Sequence, residues 1–149
     1  MVTGSLDGTT PFQVTFSLPE NPVPFSSVSD MFSVVPTDPI YSSGGTDTPL
    51  SGATIKFWDN SQGGLFDFLF LSNRLSFYGD QIFQGDPSNP TLLLGTFPVD
   101  PERSNYATDS GSGSILSGQV VAGAPEPISP FLVGCGMVGL LLLRRKLTA

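Results

Sequence analysis

Thirteen carboxylates, one thiol and a glycine triplet are the groups in this 149-residue chain with the chemistry for catalysis or metal binding. Ten of the acids are Asp, and Asp59, Asp80, Asp86, Asp100 and Asp109 fall in or beside expected turns. Asp in a turn caps backbone N–H groups close by, which is its ordinary use there. Calcium needs six to eight oxygens, and no stretch carries the D-x-[DN]-x-[DN]-G spacing, so a calcium site has to be assembled from separate loops. Two acids suffice for glycoside hydrolysis, but the spacing singles out no pair. The chain has no His, so the commonest general base is missing. Its one thiol, Cys135, supports neither an intrachain disulfide nor a Cys/His zinc site. Gly134, Gly136 and Gly139 match G-x-G-x-x-G, yet only ten residues follow Gly139, too few for the βαβ unit of a dinucleotide site. The expectation is a protein that is not an enzyme, with no catalytic residue, no metal and no cofactor.

Binding is the other chemistry to weigh. Trp58, Tyr78 and Tyr106 are rings able to form a sugar platform, although core or sheet-face packing is their more ordinary role. A formal charge of −7 and a pI near 4.1 argue against a nucleic-acid partner, because phosphate binding depends on clustered Lys and Arg.

The charges divide the chain. Residues 1–124 hold twelve acids against Lys56, Arg74 and Arg103, whereas residues 125–149 hold Glu126 against Arg144, Arg145 and Lys146. Residues 128–143 read ISPFLVGCGMVGLLLL, sixteen in a row without a charge. As a helix they span roughly 24 Å, short of the ~30 Å hydrocarbon core, and long basic side chains beyond them can snorkel to make up the difference. One short transmembrane helix is therefore expected, anchored through Ile128, Leu132, Gly136, Gly139 and Leu143. Cys135 and Gly139 form a small-xxx-small pair of the kind that lets membrane helices approach. Arg144, Arg145 and Lys146 act as a cytoplasmic stop, which leaves residues 1–124 outside. That topology requires export, yet residues 1–30 contain neither a basic n-region nor an apolar h-region. A signal peptide is accordingly expected upstream of Met1.

Ahead of the apolar segment stand Pro125, Glu126 and Pro127. Two prolines around a Glu keep the junction extended and stop a membrane helix from propagating outwards, which leaves backbone open to an enzyme at the membrane surface. The order Pro-Glu-Pro, apolar segment, basic cluster over residues 124–149 closely resembles the PEP-CTERM sorting signal of Gram-negative bacteria, also catalogued as an ice-binding-protein C-terminal domain. The resemblance implies export, retention in the inner membrane, recognition of Pro125, Glu126 and Pro127 by an exosortase partner, and transfer to the cell surface or extracellular matrix. The body is similar to a Ser/Thr/Gly-rich, low-lysine β-domain often found ahead of that tail. A surface or matrix protein in contact with inner-membrane lipid is the function this implies. The alternative is a carbohydrate- or ice-binding module, calcium-dependent in one version, with polysaccharide as partner.

These features need elements to carry them. Gly and Pro number 17 and 14 and destabilise helix interiors by roughly 1 and 3 kcal/mol each, so a helical body is excluded. Phe12, Val14, Phe16 and Leu18 alternate with Gln13, Thr15 and Ser17, the period of a half-buried strand. Further strands are expected near residues 2–6, 31–35, 53–58, 65–71, 74–78, 91–97 and 114–121, with a hairpin across Gly79 and Asp80. Residues 36–52 and 98–113 are expected to be long loops. The fold class is all-β, an antiparallel sandwich or jelly-roll-like domain, followed by the single C-terminal helix. The organisation is a β-domain over residues 1–121 with its N-terminus truncated, a linker over 122–127, the transmembrane helix over 128–143 and a basic tail over 144–149.

Overall fold

The computed structural model describes residues 1–109 and 111–123. The Pro-Glu-Pro motif, the apolar segment and the basic cluster lie outside the described residues. Among the described residues no helix is long and apolar enough to cross a membrane.

The body is all-β and antiparallel, with a single 3₁₀ turn at Asn60–Gln62. Its strands are β1 (Val2–Leu6), β2 (Thr10–Ser17), β3 (Ser26–Val28), β4 (Met31–Val34), β5 (Thr37–Ser43), β6 (Thr46–Pro49) and β7 (Thr54–Trp58). Then come β8 (Phe66–Phe70), β9 (Asn73–Phe77), β10 (Phe83–Gln84), β11 (Thr91–Leu92), β12 (Gly95–Pro98), β13 (Asn105–Thr108) and β14 (Gly111–Ala122). Twelve of them form one sheet in the order β3-β4-β7-β8-β9-β13-β14-β1-β2-β5-β6, with β12 beside β14, while β10 and β11 pair separately.

β14 makes the sheet curl. Gly111 to Ser114 pair with β13, Ile115 to Val120 pair with β1, and Gln119 to Ala122 pair with β12. Between Ser5 and Leu6 the register with β14 shifts, so Leu116 is an extra residue on β14. Such bulges bend a strand and increase its twist. The bend brings the β1-β2-β5 half over the β7-β8-β9 half in a sandwich-like arrangement. Phe16 of β2 meets Phe66 and Phe68 of β8 at 6.0 and 5.8 Å, Phe12 meets Phe77 at 6.2 Å, and Tyr41 meets Phe70 at 6.2 Å. Among the described residues seven Phe are buried: Phe12, Phe32, Phe57, Phe66, Phe68, Phe77 and Phe83. Each contributes on the order of 1.5–3 kcal/mol by leaving water.

Four expectations are corrected. Residues 36–52 are not a loop but the β5–β6 hairpin, turning through Gly44 and Gly45 at φ 58° and 79°. Positive φ at both central residues suits the right-handed twist of a two-residue hairpin, and Gly permits it. Residues 98–113 are also more than loop, because β13 and the start of β14 lie among them. The hairpin across Gly79 and Asp80 is absent. Instead Gly79 N donates to Gly63 O at 3.0 Å and Leu65 N to Asp80 O at 3.3 Å, tying two turns together. A Cβ on Gly64 would collide with the Gly79 carbonyl, so these glycines mark a close backbone approach. The expected strand at 91–97 also breaks in two, into β11 and β12.

Candidate functional site

Every residue assigned to the sorting motif, the anchor and the stop lies outside the described residues: Pro125, Glu126, Pro127, Ile128, Leu132, Gly136, Gly139, Leu143, Arg144, Arg145 and Lys146. The structure does show the strand that leads to them. Val121 N donates to Met1 O at 2.8 Å, and the Met1 ammonium donates to Val121 O at 3.0 Å. Ala122 pairs with Gly95. β14 is thus held on both sides almost to its end, three residues before Pro125.

The turn acids behave as caps. Asp59 accepts from Ser61 N at 2.9 Å and from Ser61 Oγ at 2.6 Å, closing the 3₁₀ turn. Asp86 accepts from Ser88 N and Oγ at 2.8 and 2.7 Å, which holds its carboxyl below the ordinary value of 3.8. Asp100 accepts from Glu102 N at 3.0 Å. Among the described residues no three acids, His or Cys come together as a metal cluster. Asp109 accepts from Ser72 Oγ at 2.6 Å, and Asp80 contributes its carbonyl to the paired turns.

Sequence spacing did not single out Asp67, the most buried acid among the described residues, at 4% exposure. Phe66 and Phe68 point into the core, so period two puts Asp67 on the opposite face of β8. There it accepts from Trp58 Nε1 at 3.2 Å and pairs with Arg74 Nη2 at 3.2 Å. Arg74 Nε also donates to Ser76 Oγ at 2.7 Å. The Lys56 ammonium lies 5.3 Å from the Trp58 ring centroid. This network locks three neighbouring strands on their outer face.

The three rings weighed as a platform do not share one. Trp58 is held by Asp67 and covered by Lys56, and the Arg103 guanidinium covers Tyr78 at 4.7 Å. Tyr106 stands opposite Leu75 on the core side and donates its hydroxyl to Asp7 Oδ2 at 2.7 Å.

One concave site formed by the described residues is mainly apolar. At the end of the sandwich where β14 leaves, a cavity of about 130 Å³ opens between the halves. Phe16, Phe57, Phe66, Ile82 and Val120 line it towards the core, and Leu18, Leu92, Leu93, Leu94, Ala122 and Gly123 are among its other walls. Glu20 is the one carboxylate in the lining, so it lacks the paired acids of a glycosidase. Its sequence signal is the run Leu92, Leu93 and Leu94, since three consecutive Leu cannot all face one side of a strand. Leu94 stays 58% exposed.

The fold and its sites define a small antiparallel all-β domain with an apolar cavity at its C-terminal end. Comparison with family models, with curated proteins and with solved structures returns no match.

Proposed function

We propose that this chain is an exported, non-catalytic surface or matrix protein. In this reading its jelly-roll-like β-sandwich is displayed outside the inner membrane, residues 128–143 tether it, and an exosortase processes it at Pro125, Glu126 and Pro127. The observation that supports this most is the way the domain ends. β14 is laddered to β1 as far as Val120 and to β12 as far as Ala122, three residues before Pro125. A processing enzyme can act on a motif placed there without unfolding any described strand. The uneven charge supports the same topology, with acids in the body and three cations after the apolar segment. Among the described residues Asp59, Asp86 and Asp100 cap turns, and Asp67 pairs with Arg74.

Replacing Pro125, Glu126 and Pro127 together by Ala in an exosortase-containing host tests the proposal. Full-length protein is expected to accumulate in the inner membrane while the wild type is shortened and released. Equal processing of both would refute it.

A further inference from the structure

We propose that the apolar cavity at the exit of β14 takes the acyl-chain end of a membrane phospholipid. The inference rests on the tether proposed above. Its volume, about 130 Å³, is close to that of apolar protein cavities known to stay dry and accept a small hydrocarbon (~150 Å³). The walls supply Phe, Leu, Ile and Val side chains, and Leu94 lies exposed among them.

Its position selects the occupant. Gly123 lines the cavity and is followed by only four residues before Ile128, the first of the apolar segment. Five fully extended residues span at most roughly 18 Å, so the cavity cannot lie far from the headgroup layer of a bilayer that holds residue 128. A lipid chain is the hydrocarbon present at that distance.

The full chain is reconstituted in vesicles of phosphatidylethanolamine and phosphatidylglycerol, with a trace of phosphatidylethanolamine carrying a diazirine at its acyl end. Flotation reads the tether, and peptide mass spectrometry after irradiation reads the cavity. Adducts on Phe16, Leu18, Leu93 or Leu94 are expected. Ala122→Phe, which fills the space, should reduce them at least tenfold with the melting temperature retained. Should that variant unfold, Leu94→Ser at the exposed wall is expected to reduce them about threefold. Flotation with adducts confined to residues 128–143 overturns the cavity proposal and leaves the tether standing. Failure to float overturns the tether, and decylamine titrated into the chain then decides the cavity. Shifts in the Ile82 and Val120 methyl resonances support an acyl site, and their absence overturns it.

Discussion

At the scale of single residues the sequence hides strain that the backbone reveals. Leu65 and Leu71 flank β8 with φ of 50° and 52°, a left-handed region that costs a residue with a Cβ about 1–2 kcal/mol. Leu65 recovers this cost by being fully buried beside Gly79. Leu71 does not, because it is 89% exposed in the β8–β9 turn. Asn occupies this region readily through local hydrogen bonding. Leu71→Asn is therefore expected to stabilise the domain by about 0.5–1 kcal/mol, seen as a higher urea midpoint with an unchanged slope. A lower midpoint would show that the exposed Leu makes a contact in solution that outweighs its strain. The same residue explains one limit of the sequence reading. Alternation places Leu71 with Leu65 and Leu69 on one apolar face, but a positive φ at each end takes both terminal Leu out of that register.

Individual elements were legible wherever alternation was clean. β2, β7, β8 and β9 carry apolar residues at a period of two that face the Phe core, whereas residues 25–35, which hold β4, fit helical spacing as well. β5 and β6 escaped notice for a physical reason. Pro39 and Pro49 sit within them, β6 is exposed along its whole length, and an edge strand with no buried face leaves no hydrophobic alternation. β13 was hidden similarly, because of its four residues only Tyr106 packs against the core. The Gly79 and Asp80 signal failed because a close approach to another turn and a tight hairpin ask for the same residue. Of the candidate sites, the turn caps at Asp59, Asp86 and Asp100 could be read from sequence, whereas the Asp67 network depends on the register in which the consecutive strands β7, β8 and β9 pair. That network carries a prediction for β7, β8 and β9 together. Arg74→Met leaves Asp67 with the Trp58 indole as its side-chain partner on a face where it is 4% exposed. Because Arg74 is itself half exposed, water screens the pair, and the expected loss is about 1–2 kcal/mol rather than that of a fully buried ion pair. Adding Asp67→Asn should recover a large part of the loss in chemical denaturation. Equal stability of the single and double variants would mean that the charge on Asp67 is of no consequence.

For the molecule as a whole, the decisive step is closure, the joining of residues near the start of the chain to residues near its end. Asp7, in the turn after β1, receives the Tyr106 hydroxyl at 2.7 Å and Ser114 N at 3.2 Å, so one carboxylate links β1, β13 and β14 where the sheet bends. The hydrogen bond to Asp7 raises the Tyr106 pKa above its ordinary 10.0, with desolvation and the nearby Asp7 charge acting in the same direction. A raised pKa in the folded state means that the protonated phenol is favoured there. Its contribution to stability is full below pH 10 and is lost as the pH climbs through the raised value. Tyr106→Phe lacks the hydroxyl and cannot take part in this loss. At pH 8 the wild type should melt above the Phe variant, and between pH 10 and 12 the two melting temperatures should converge. Subtracting the two curves removes the alkaline titration of the Lys residues, which both proteins share. A gap that stays constant up to pH 12 would mean that the hydroxyl contributes to packing alone. A closing gap would identify the Asp7–Tyr106 bond as a pH-sensitive fastening of the curled sheet.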